Sequence, residues 1–70
     1  MIADELEEKL QGAEDLVEHA LEVSERAMLC LYRNDHVNFV RLMRESVARL
    51  GCAVVAFDAI ANECERLTMS

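Results

Sequence analysis

The chain has no proline, no tryptophan and only two glycines, Gly12 and Gly51, among its 70 residues. Nothing therefore removes an amide donor from inside a helix, and few positions invite a tight turn, so long uninterrupted helices are expected. Aromatic residues are confined to Tyr32, Phe39 and Phe57, which makes any core aliphatic. Basic residues are scarce: seven Lys and Arg stand against fourteen Asp and Glu, a formal net charge of -7. Binding to a phosphate backbone does not fit that balance. No stretch reaches the roughly 18 unbroken apolar residues of a membrane span. The longest candidate, from Cys52 to Ala61, is interrupted by Asp58. The acidic opening, Met1 to Glu8, is unlike the basic and then apolar start of a secretory signal. Cys30, Cys52 and Cys64 match neither a disulfide framework nor a paired metal knuckle, so reduced thiols in a cytoplasmic protein are expected.

What is abundant is aliphatic: hydrophobic residues make up 53% of the chain, too many for intrinsic disorder. Seventy residues support one small domain, and its organisation follows from the spacing. Ala3, Leu6, Leu10, Ala13, Val17, Ala20, Ser24, Ala27 and Leu31 recur every three or four residues, the seam of an amphipathic helix. Glu7, Lys9 and Glu14 keep that stripe narrow at first; Leu16, Leu21, Val23, Met28 and Cys30 then broaden it, so burial should deepen along the helix. The opposite side carries Asp4, Glu8, Asp15, Glu18, Glu22, Glu25 and Arg26, with Glu22 and Arg26 spaced as an i,i+4 pair.

Arg33-Asn34-Asp35-His36 is the best turn: Asn34 tolerates the left-handed conformation that ends a helix, and Asp35 can cap the next. A second seam follows through Val40, Met43, Val47, Leu50, Val54, Phe57, Ala61 and Cys64, widened by Phe39, Ala53, Ile60 and Leu67. The expected fold is all-α, an antiparallel, coiled-coil-like two-helix hairpin. Helix one spans about residues 3–33, the turn residues 34–36 and helix two about residues 37–67, in a single domain over residues 1–70.

Such a hairpin leaves apolar surface uncovered. The run from Gly51 to Ala61 has one charge in eleven residues, so apolar groups point around most of helix two while one partner helix covers a single stripe. A bundle completed by a protein partner or by self-association is expected, since two helices rarely bury enough. The net charge lies wholly in residues 1–26, where nine acidic groups face Lys9 and Arg26; residues 27–70 carry five charges of each sign. The acidic helix suits a solvated face or a dock for a basic partner.

No constellation for chemistry emerges. Asp15, Glu18, His19 and Glu22 share an open side rather than a sheltered metal cavity, and His36 sits in the turn beside Asp35. Cys64 occupies a core position, and no base can be placed against Cys30 or Cys52. Glycine-rich phosphate loops, HExxH, zinc knuckles and calcium-loop spacings do not occur. No catalytic, cofactor-binding or metal-ligating residue is assigned, and a non-enzymatic protein is expected. Arg33, Arg41, Arg44 and Arg49 are expected to pair with helix one or a partner rather than with nucleic acid.

An MxxxxLExxL opening in an acidic first helix, a polar turn, an aromatic residue, Arg-Glu-Ser and then an alanine-rich apolar helix resemble the small co-chaperones of bacterial type III secretion needle subunits. The residues concerned are Met1, Leu6-Glu7, Leu10, Asn34-Asp35, Phe39, Arg44-Glu45-Ser46 and the stretch Ala53 to Ala61. The resemblance implies a cytoplasmic hairpin that binds a helical-repeat chaperone of the tetratricopeptide-like type, the pair keeping a needle subunit monomeric. On that reading Val47, Leu50, Val54, Phe57 and Ile60 belong to a core shared by hairpin and partner. Cys52, Val55 and Ala59 make contacts that only another chain supplies. Two other functions fit the same pattern: a homodimeric four-helix-bundle regulator or structural protein, and an acidic decoy for the nucleic-acid site of a basic protein.

Overall fold

The computed structural model describes residues 2–69, with side chains from residue 4 onward. Met1 of the opening motif and the side chain of Ala3 lie outside the described residues. Two helices, α1 (Ile2–Tyr32) and α2 (His36–Met69), pack along their length as an antiparallel hairpin, with Cα extents of 55 × 16 × 10 Å.

The turn forms through the chemistry of Asn34 and Asp35. Asn34 takes φ 58°, and the amides of Asn34 and Asp35 reach back to the carbonyls of Leu31 and Cys30 at 3.0 and 2.8 Å. That pair of bonds is a Schellman termination, which satisfies carbonyls left open at a helix end. The Asp35 carboxylate then accepts from the Asn38 amide at 3.2 Å and from the Asn38 side chain at 2.6 Å, an N-cap that starts α2 at His36, one residue earlier than expected.

Packing between the helices departs from the expected seam. In α2 the positions facing α1 are Phe39, Leu42, Ser46, Arg49, Ala53, Ala56, Ile60, Glu63 and Leu67, all buried or half-buried. They precede the expected Val40, Met43, Val47, Leu50, Val54, Phe57, Ala61 and Cys64 by one residue. Both sets repeat with the same 3-4 spacing. The set with fewer polar groups is the more conspicuous in sequence, but the set that turns inward contains residues small enough for close approach. In α1 the seam runs through Leu6, Ala13, Leu16, Ala20, Val23, Ala27 and Cys30; Leu10 and Leu31, expected within it, are exposed on its flank.

The fully enclosed positions are consequently small. Ala13, Ala20, Ala27, Ser46 and Ala53 are buried, and only Val23 and Leu42 add larger buried side chains, each worth about 2 kcal/mol. Val23, Ala27 and Leu42 form a cluster near the turn, completed by Cys30, Phe39 and Met43. The Ser46 hydroxyl donates to the Ala20 carbonyl at 3.0 Å, which requires helix axes on the order of 8 Å apart, the close end of ordinary helix packing.

Candidate interaction face

With small residues turned inward, the large ones face out. Val40, Val47, Leu50 and Val54 are exposed along α2, Val47 and Val54 each at 65%. Met43 and Phe57 lie half-buried beside them. In an antiparallel pair, the residue following a seam position falls on the same flank in both helices. Leu10, Val17, Ser24 and Leu31 of α1 therefore flank the row of Met43, Leu50 and Phe57, with the exposed Leu21 and Met28 beyond them. The result is one continuous apolar face across both helices. A shallow depression of about 340 Å³ on it is ringed by Phe39, Val40, Met43, Arg44 and Val47.

The opposite flank differs. Near the turn it is polar, with Arg26, Arg33, Asp35, Asn38 and Arg41 around one hollow and His19, Glu22, Glu45 and Arg49 around the next. Toward the open end it becomes a groove of about 460 Å³ lined by Gly12, Ala13, Leu16, Ala56, Ala59 and Ile60, between Lys9 and Glu63. A hydrogen bond from Arg66 holds the Glu63 carboxyl below its usual range, with the charges of Arg66 and Lys9 adding to it.

The eight residues singled out in sequence fall in different places. Val47, Leu50, Val54 and Phe57 lie on the apolar face; Val47, Leu50 and Val54 are exposed rather than part of the hairpin core, because α2 is rotated by one residue from the expected phase. Ile60 is half-buried in the seam and reaches the rear groove. Cys52, Val55 and Ala59 are exposed on the rear of α2. Cys64, expected in the core, is exposed for the same reason as the valines. Leu21 and Met28 were legible only as broadening of the first stripe and Leu31 as part of its seam, and the structure joins all three to the valines of α2.

Charge pairing also differs from expectation. Among the described residues Arg49 pairs with Glu45 at 3.0 Å and Arg66 with Glu63 at 2.6 Å, both within α2. Glu22 and Arg26 form no ion pair there, and Arg49, although it faces α1, pairs within α2 rather than across to α1. The Arg49 Nε is buried without a hydrogen-bond partner, a local cost of about 1–3 kcal/mol. No group of three His, Cys, Asp or Glu side chains converges on a metal-sized site among the described residues. No helix there is long and apolar enough to cross a membrane.

No protein-family model matches the chain, and neither a curated protein nor a solved structure matches it.

Proposed function

We propose that the protein is a non-enzymatic interaction hairpin whose apolar face docks a helical partner. The observation that carries this reading is the inversion of size: alanines and a serine fill most of the enclosed positions, with Val23 and Leu42 the larger exceptions near the turn, while Val40, Val47, Leu50, Val54, Leu21, Met28 and Leu31 stand outside. A compact protein of this mass exposes about 4,400 Å². The hairpin exposes 5470 Å², an excess of roughly 1,000 Å². One partner's share of a standard protein interface is about 800 Å².

Within that class, we propose a co-chaperone that binds a helical-repeat chaperone of a type III secretion needle subunit. Its support is the resemblance carried by Leu6-Glu7, Leu10, Asn34-Asp35, Phe39, Arg44-Glu45-Ser46 and the stretch Ala53 to Ala61. The test is multi-angle light scattering with circular dichroism on the purified chain over a concentration series, repeated after co-expression with such a chaperone. Aggregation or weak, concentration-dependent self-association alone and a discrete helical complex together are expected. A concentration-independent helical homodimer that ignores the chaperone would overturn the co-chaperone assignment in favour of a self-paired four-helix bundle. A stable helical monomer that ignores it would overturn the interaction reading itself.

A further inference from the structure

The edges of the apolar face are not alike. Along α1, Glu7, Glu14, Glu18 and Glu25 are all exposed, and their spacings of seven, four and seven keep them in one row beside Leu10, Val17, Leu21 and Met28. Among the described residues no salt bridge engages them. Along α2, the outer edge is Val37, Arg44, Gly51, Asp58 and Glu65, which mixes both signs and apolar positions. A helix laid along the face would have one flank against a row of carboxylates and the other against a nearly neutral edge.

We propose that the occupant of this face is a heterologous amphipathic helix carrying Lys or Arg along the flank that lies over α1. This rests on the interaction reading above and adds the partner's chemistry and orientation. Desolvating part of the Glu7, Glu14, Glu18 and Glu25 row is costly without opposite charge, and basic side chains supply it while keeping their own heads in water. A second copy of this chain does not. If α1 meets α1 of the copy, two acidic rows face each other. If α1 meets α2 of the copy, the row meets Asp58 and Glu65 with Arg44 as the single opposing charge. The depression between Phe39, Val40, Met43, Arg44 and Val47 provides a socket for one large apolar side chain of the incoming helix.

The test uses the full chain and two fluorescent helical peptides of about 28 residues, long enough to run most of the face. Both carry the same leucine stripe; one is flanked by Lys and the other by Glu. Anisotropy titrations at about 50 mM salt should show the Lys-flanked peptide binding at least about tenfold more tightly, with the gap narrowing at about 300 mM. Glu18→Lys with Glu25→Lys should remove or reverse that preference. Val47→Glu with Val54→Glu should abolish binding of both peptides, with helicity checked by circular dichroism. Asn62→Lys, on the outer side of α2, should change neither. Non-specific attraction to an acidic chain would strengthen when Val47 and Val54 become Glu, so retained binding of the Lys-flanked peptide by that variant overturns the proposal. Equal affinity for both peptides overturns the charge assignment while leaving an apolar docking face. Failure of both peptides to bind a chain that stays monomeric overturns the interaction reading as well. Tight, salt-insensitive self-association makes a second copy the occupant and overturns the proposal.

Discussion

Ser46 and Ala20 are joined across the hairpin by a 3.0 Å hydrogen bond from the serine hydroxyl to the alanine carbonyl, at a buried position between the helices. The contact sets both the separation and the register of the pair, because a serine side chain reaches a facing backbone only where the seam is narrow. Ser46→Ala should lower unfolding free energy by about 1 kcal/mol, the net worth of one buried hydrogen bond. Ser46→Leu should cost about 1–3 kcal/mol by forcing the helices apart. Urea unfolding followed by circular dichroism reads both, and a neutral Ser46→Leu would refute the close approach.

Size matters in opposite ways on the two faces. Ala27, at 0% exposure, should tolerate Leu poorly, again at about 1–3 kcal/mol. Val47→Ala and Val54→Ala, on the open face, should each stay within about 0.5 kcal/mol in the isolated chain. The same two changes should measurably weaken partner binding, so stability and affinity are read on the same variants. A large loss of stability at Val47 would mean that the valine row turns inward.

Acid should weaken the turn in a manner specific to Asp35. Its hydrogen bonds to Asn38, first from the side chain and then from the backbone, hold the carboxyl below its ordinary value of 3.8. A carboxyl depressed in the folded chain contributes stability that is complete above the unfolded value and disappears as pH falls through the lower, folded one. Asp35→Asn keeps a capping side chain without a titrating proton. The melting temperature of the wild type relative to this variant should therefore fall as the pH drops below about 5. A difference independent of pH would show that the cap carries no such linkage. The comparison isolates Asp35 because every other group is common to the two proteins.

Gly12 and Gly51 lie inside helices, and a Cβ at either would meet nothing within 4 Å. Gly12→Ala and Gly51→Ala should each stabilise the hairpin by up to about 1 kcal/mol through helix propensity alone. Thermal melts of the single and double variants check this, and the effects should add because neither added Cβ would touch a neighbour.

Thiol labelling gives a further check on the rotation of α2. Cys52 and Cys64 are exposed and Cys30 is half-buried in the cluster near the turn. A thiol reagent followed by mass spectrometry should modify two cysteines quickly and one slowly without denaturant. A slow Cys64 would return it to the core position that its spacing suggested.

The sequence by itself determined much of this molecule. Scarce glycine and absent proline made two long helices the only economical solution, and Asn34 and Asp35 carry their turn chemistry locally, so the hairpin and its bend were legible. The expectation that apolar surface would remain uncovered was legible too, from a run with a single charge between Gly51 and Ala61. The phase of α2 was not. Two apolar rows one residue apart share the same 3-4 spacing, and hydrophobicity favours the row of Val40, Val47 and Val54 over one interrupted by Ser46, Arg49 and Glu63. Only the tertiary structure chose between them. Helix two turns its small residues toward Ala13, Ala20 and Ala27 because two backbones can approach closely only there, and that rotation carries the large side chains outward, beside those of helix one.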